Sequence, residues 1–486
     1  MPEFVVERTF SAPLADEDLH NLMQRMEPCL RNYRVDWVRS YLSTDRLRSI
    51  CYYEAADAGS VRDVQREVEA AFDKVWPAIL LEPAQSDAEA RLATARTTER
   101  LLREVERLRP AIEEDSATAE ANRQLTARVY DGMYDAGLFG MLAPRAFGGL
   151  ELHPTGCLRV WEAVASIDSA AGWNLVMNQA IAAYAAWLPA KGAAEVFRDG
   201  PATVAGALSP PARAVRVDGG WRITGQVPFG SGCHHAKWLA MPAAEMDGDT
   251  MKVDPSTGRP AVFGAFFPRT AAKILDTWHT LGMRGTGSTD YAIDDLFVPD
   301  HLIAPVAPLR EPAPGFEGPL FRLWPFTALL GEAAVTVGAA AAAVEAAVRL
   351  CQTKTAAYNA VPLREQQLAQ FHMGKAKARV DASRDTLHRA AEDAYDDVVR
   401  SGGLLSTKAK IRLQLATCFA TEACAEAVRL VNDVAGTSSI RREAPFERHF
   451  RDTHTLLQHA SRSGPRYGSA GRLMFGLEND WVWLSF

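Results

Sequence analysis

The chain has no Cys-x-x-Cys pair. Its seven cysteines (Cys29, Cys51, Cys157, Cys233, Cys351, Cys418 and Cys424) are odd in number and widely scattered. That pattern excludes a disulfide scaffold or a zinc ribbon and reads as reduced thiols. Excess positive charge is missing too: 53 Lys and Arg against 60 Asp and Glu leave a net charge of −7. Without a basic surplus there is no electrostatic footprint for nucleic acid or an anionic membrane. The longest apolar stretch, around Ala333 to Ala343, is short, Ala-rich and followed by Glu345 and Arg349, so it reads as a buried helix. The opening MPEFVVERTF lacks the basic-then-apolar order of a secretory leader. With 48% hydrophobic and 23% charged residues over 486 positions, the composition is globular and large enough for two to four structural units. The expectation is a cytoplasmic enzyme with neither nucleic-acid nor membrane partners.

The organisation is that of a multi-domain α+β protein. Phe4 to Val6, Val35 to Leu42, Arg48 to Tyr53 and Ala78 to Leu81 read as strands, and Ala15 to Leu30 and Val61 to Val75 as helices. This βαββαβ order predicts a ferredoxin-like accessory domain over residues 1–83. A Leu-spaced helical region from Ala88 to Val129 opens a helical domain predicted over 88–201. Residues 202–310 turn rich in Val, Thr, Trp and Gly, with Asp218-Gly219-Gly220 as a hairpin signal, and read as a β domain. From 316 to 486 long helical periods return, at Thr327 to Cys351, Gln366 to Ser401 and Leu405 to Val434.

Four local signatures in this order resemble the acyl-CoA dehydrogenase superfamily of flavoproteins. They are Asp135-Ala136-Gly137-Leu138-Phe139 with Phe147-Gly148-Gly149; Gly219-Gly220-Trp221-Arg222-Ile223-Thr224-Gly225; Leu281-Gly282-Met283-Arg284-Gly285-Thr286-Gly287-Ser288; and Gly436-Thr437-Ser438 through Arg451-Asp452. The resemblance runs from about Ala88 to the C-terminus. It implies a helical domain, a β-barrel and a C-terminal four-helix bundle around a flavin.

Within that superfamily, a dehydrogenase needs a carboxylate base to take the substrate's α-proton. The usual position of that base is Ala435 here, and the alternative position falls near Ala328, with Glu332 one turn further on. The family's flavin-pyrophosphate arginine is also missing, its place falling near Ala356. The remaining motifs resemble the two-component monooxygenase branch instead: Phe229-Gly230-Ser231-Gly232 before Trp238, and a tail with Arg451-Asp452, His454, His459 and Gly471-Arg472. That resemblance implies reduced FAD or FMN supplied by a partner flavin reductase, and a flavin hydroperoxide that oxygenates a small organic substrate. A homotetramer or homodimer is implied as well.

By the same resemblance, Ser231 stands where a hydroxyl donates to flavin N5, and Phe229 and Gly232 wall the ring. Arg284, Thr286 and Ser288 are candidates for flavin contact. Asn178, His234, His235 and Trp278 are candidates for the substrate pocket. An imidazole with a near-neutral pKa suits proton removal from a phenol or amine, the role expected of His459. His454, five residues earlier, would face elsewhere on one helix. One feature departs from the branch: after Ser169-Ala170-Ala171-Gly172-Trp173 comes Asn178-Gln179, where many members carry a His.

Residues 1–83 resemble a small ferredoxin-like family with members described as nickel-binding. His20 is the only His there, too few for such a site, so no metal is expected. Two other readings remain: a dehydrogenase with Glu332 as base, or a non-catalytic flavoprotein-like scaffold.

Overall fold

The computed structural model describes residues 3–78, 87–207, 209–255, 258–305, 312–357 and 360–485, and divides into two compact units, Met1–Ala90 and Arg91–Phe486.

In the first unit β1 (Glu3–Thr9), α1 (Asp16–Tyr33), β2 (Asp36–Leu42), β3 (Arg48–Glu54), α2 (Ala58–Glu67) and β4 (Lys74–Ala78) follow in the βαββαβ order. The sheet order is β2-β3-β1-β4 with every pairing antiparallel, the ferredoxin-like arrangement. Alternating residues put Phe4, Val6, Cys51 and Tyr53 under the helices, against Met26, Val61 and Val64. The helix expected to reach Val75 ends at Glu67. Glu69 takes a left-handed φ of +52°, which breaks the helix, and Val75 pairs with Val6 as part of β4. Ile79, Leu80 and Leu81 of the expected last strand lie outside the described residues, as do Pro83, Gln85 and Ser86 at the expected boundary. Pro77 suits β4, an edge strand that needs no further donor.

α3 (Asp87–Asn122) begins just before the boundary and, from Arg91 on, opens the second unit, followed by α4 (Ala127–Asp135). The single helical stretch expected to Val129 is therefore two helices. Arg123 is left-handed at φ +56°, and the Thr126 side chain caps the new start by accepting from the Val129 N–H. Then come α5 (Pro154–Ile167), with proline in its first turn, and α6 (Ser169–Ala183), whose N-cap Asp168 accepts from the Ala171 N–H at 2.9 Å. α7 (Ala190–Val196) leads into a nine-stranded sheet. Its strands Gly220–Val227 and Ala212–Val217 form the expected hairpin through Asp218 and Gly219. The same sheet continues through Tyr291–Pro299 on one side and Trp238–Asp247 and Val262–Pro268 on the other.

Five helices complete the unit: α8 (Phe326–Thr353), α9 (Gln367–Ser401), α10 (Thr407–Ala435), α11 (Phe446–Leu457) and α12 (Pro465–Met474). α8 is long and apolar enough to cross a membrane by length and composition, yet most of it is buried, packed by α5, α6, α9 and α10. Its glycines allow that approach: a Cβ on Gly338 would lie 2.4 Å from the Glu162 carbonyl oxygen of α5. The second unit thus has the helical, β and helical order that the sequence resemblance implies.

Candidate active site

The site is built on a short loop that α6 holds in place. Between the strands Gly220–Val227 and Trp238–Asp247, Phe229 sits in the left-handed region at φ +62° and is 62% exposed. A large aromatic kept both strained and solvent-facing is not there for packing; such outliers gather at functional sites. Its ring meets Trp278 edge-on at 6.1 Å. Gly232, at φ +73°, passes so close to α6 that a Cβ would fall 2.3 Å from Asn174 Oδ1. From α6, Asn178 Nδ2 donates to the Ser231 carbonyl at 2.9 Å, while its Oδ1 accepts from the Tyr130 hydroxyl at 2.6 Å. Asn174 Nδ2 donates to the Thr286 carbonyl at 3.2 Å.

Ser231 heads a chain of hydroxyls whose direction can be deduced. Thr286 Oγ1 donates to the Met283 carbonyl at 2.8 Å, so in its 2.6 Å contact with Ser288 Oγ it must accept. Ser288 thereby spends its only hydrogen on Thr286, and Ser231 must donate to Ser288 at 2.7 Å. Trp173 Nε1, on α6, donates to Ser231 Oγ at 3.0 Å. The run Trp173, Ser231, Ser288, Thr286, Met283 is therefore one head-to-tail chain. The far end is anchored where Asp452 of α11 accepts from the Met283 N–H at 2.6 Å. Ser231 keeps one lone pair and no free hydrogen. The expectation that it donates to a flavin is corrected: in this arrangement it can only accept.

On the other side of Trp173 lies His459, its ring edge-to-face with the indole at 5.4 Å and 69°. α11 ends at Leu457, so His459 stands in the following turn and the helical-face comparison with His454 does not apply. His454 stacks on Phe450 at 6.2 Å instead. His459 Nδ1 is 2.7 Å from Ser461 Oγ and 3.3 Å from Glu332 Oε2. The same Glu332 oxygen accepts from Ser461 at 2.6 Å and from Arg462 Nε at 2.9 Å. Arg462 also donates to the Glu332 carbonyl and to Thr421, and lies over the Trp173 ring at 5.7 Å. Burial lowers the proton affinity of His459, with Glu332 opposing that shift and Arg462 adding to it. Below an ordinary value of 6.5 the ring is neutral at pH 7, as a base must be.

Comparison with known proteins finds matches over most of the chain. Residues 94–190 match the family model "Acyl-CoA dehydrogenase, N-terminal domain" and residues 330–463 the model "Acyl-CoA dehydrogenase, C-terminal domain". Both stretches are thus similar to acyl-CoA dehydrogenase domains. Residues 4–77 match "Nickel responsive protein SCO4226-like". Among its relatives are an indole-3-acetate monooxygenase of Pseudomonas putida, 29% identical, covering 74% of this chain and 89% of that protein, and the oxygenase component of an FADH2-dependent resorcinol hydroxylase from Rhizobium sp., 28% identical, covering 74% and 90%. XiaF from Streptomyces sp., solved with FADH2 and glycerol, superposes with a TM-score of 0.72 at 25% identity, covering 80% of this chain and 98% of that one.

Glu332 is not a free base. It is 1% exposed and tied to Arg462 and Ser461, and Ala435 at the usual base position is buried as well. Asn178 has its oxygen and one amide hydrogen engaged and braces the Ser231 loop from behind. His235 stacks on Tyr130 at 4.8 Å with Nε2 2.9 Å from the Leu125 carbonyl, and His234 lies against Gly287. Burial lowers the proton affinity of both. Neither bonds to Ser231 or His459. Trp278 Nε1 donates to the Met283 carbonyl at 3.0 Å, at the foot of the hydroxyl chain. Arg284 is half-buried and its guanidinium has no partner among the described residues. A flavin fits this donor set: an exposed aromatic, an accepting hydroxyl, a neutral imidazole and an unpaired cation for the cofactor's anionic part. Two surface cavities, of about 620 Å³ beside Trp76 and about 710 Å³ beside Phe419, contain none of these residues.

Tyr130, Ser461 and Arg462 join the site without any signal in the sequence, because each acts through a partner 41 or more positions away. Trp173 did have a signal, the Ser169-to-Trp173 motif, but its indole's contacts with Ser231, His459 and Arg462 were not legible in it.

Proposed function

We infer that this chain is the oxygenase component of a two-component flavin-dependent monooxygenase. The single observation that carries the reading is Trp173, which joins Ser231 on one side to His459 on the other, with the nearest carboxylate locked in an ion pair. Held by these residues, a reduced flavin would supply the two electrons and two protons with which dioxygen gives one oxygen atom to the substrate and the other to water. The chain's own residues do the rest. Ser231 Oγ offers a lone pair suited to an N–H such as that at N5 of a reduced flavin. Phe229 and Trp278 shield a ring from water. Arg284 pairs with an anionic group of the cofactor. His459 takes the proton from a phenol or ring N–H as oxygen is transferred.

Reduced FAD is the first choice over FMN, supported by the FADH2 named for the resorcinol hydroxylase and for XiaF. A separate flavin reductase feeds the site, and the substrate class to try first is an indole or a phenol, after the names of the two curated relatives. We further propose a cytoplasmic homotetramer or homodimer, with the ferredoxin-like unit as a dimerisation or lid module that holds no metal. Anaerobic titration with reduced FAD and reduced FMN, followed by turnover with a generic reductase, NADH and an indole and phenol panel, tests this. Tight binding of a reduced flavin and a product heavier by one oxygen are expected. Failure to bind either flavin overturns the reading.

A further inference from the structure

We infer that Glu332 is a positioning residue that fixes His459 as the tautomer with its proton on Nδ1, leaving Nε2 as the basic atom. The inference rests on the reading of His459 as the site's base. It follows from counting hydrogens. A carboxylate paired with Arg462 can only accept, so Ser461 must donate its single hydrogen to Glu332 Oε2 at 2.6 Å. Ser461 Oγ can then only accept from His459 Nδ1 at 2.7 Å, which requires Nδ1 to carry a proton. The Glu332 oxygen itself, 3.3 Å from Nδ1, favours the same form. In a neutral imidazole the lone pair is then on Nε2. That atom has no protein partner among the described residues, and the side chain is 37% exposed.

The arrangement is also stiff. Arg462 is itself fully buried and bonds to the Glu332 side chain, the Glu332 carbonyl and Thr421 at once, tying the turn after α11 to α8 and α10. Glu332 thus takes no substrate proton. It decides which nitrogen of His459 does, a function that the superfamily's other use of carboxylates near a flavin would hide.

The test is magic-angle-spinning 15N spectroscopy of protein labelled at its histidine rings, with the His459 signals assigned by their loss in His459→Gln. Wild-type protein should show His459 almost entirely protonated on Nδ1 at neutral pH; a ring protonated on Nε2 overturns the proposal. Because this measurement needs no flavin and no change at Glu332, it stands even if Glu332→Gln does not fold. In Glu332→Gln, the midpoint for protonating His459 should fall by about 1 to 3 pH units, and kcat should drop while reduced-flavin affinity holds. Glu332→Asp, which keeps the charge, should recover part of both. An unchanged midpoint in folded Glu332→Gln overturns the proposal. A correct tautomer in a protein that never oxygenates any substrate would instead count against the functional reading.

Discussion

Gly232→Ala puts the loop geometry at risk in one atom. At φ +73° an L side chain costs about 1–2 kcal/mol in backbone strain. The new methyl would also sit 2.3 Å from Asn174 Oδ1 and 2.9 to 3.0 Å from the Asn178 amide atoms. Neither asparagine can step aside, because Asn178 is held by Ser231 and Tyr130, and Asn174 by the Ala170 and Thr286 carbonyls. Relieving that overpacking adds about 1–3 kcal/mol. The sum, about 2–5 kcal/mol, falls on a loop that carries Phe229 and Ser231. It should appear as weaker binding of reduced flavin, about 30-fold or more at the lower end, with a smaller drop in denaturation midpoint. Fluorescence titration under anaerobic conditions and urea denaturation measure the two. A variant with wild-type flavin affinity and wild-type stability would refute the claim that α6 shapes this loop.

Further outcomes follow from the same contacts. Ser231→Ala leaves the buried Trp173 N–H without its acceptor and Ser288 without its donor, so it should cost about 1–3 kcal/mol of stability; it should also raise the share of NADH lost to hydrogen peroxide, read by a peroxidase assay. His459→Ala should lower product formation by about 10²- to 10⁴-fold while reduced-flavin affinity changes little, as rapid-mixing and titration would show. Asp452 gives a pH signature. Burial pushes its carboxyl up to about 6, against the pull of Arg448 and the Met283 N–H. An acid raised in the folded state contributes stability below its ordinary pKa that is lost as pH rises through the folded value. Between pH 4 and 6 the wild type should therefore lose about 2 kcal/mol from this group. In Asp452→Asn, which can still accept from Met283, that loss should vanish in denaturation curves taken across the window.

Much of the architecture was legible because it rests on local patterns. Alternation in Phe4 to Val6 and Arg48 to Tyr53, the Asp218-Gly219 turn and the long apolar period of α8 each dictate an element from neighbours in the chain. Helix ends were harder, since Glu69 and Arg123 break helices by backbone conformations that their side chains do not advertise. The site divides the same way. Phe229, Ser231, Gly232 and His459 lay in motifs that could be read directly. Glu332 could be read as an acid at the right depth, but not as an ion-paired one, because Arg462 is 130 positions away and reaches it only through the packing of α8 against the turn after α11. Ser231 was recognisable as a candidate hydroxyl for flavin contact. Whether it gives or receives a hydrogen depends on Thr286, Ser288 and Trp173 together.

The most direct measurement is turnover under 18O2, with reductase-supplied reduced FAD and an indole or phenol substrate, read by product mass. The account predicts that one labelled oxygen enters the product, and that the FAD-loaded protein keeps its colour when an acyl-CoA is added without air. Bleaching of the flavin by that acyl-CoA, with no label in any product, would contradict it.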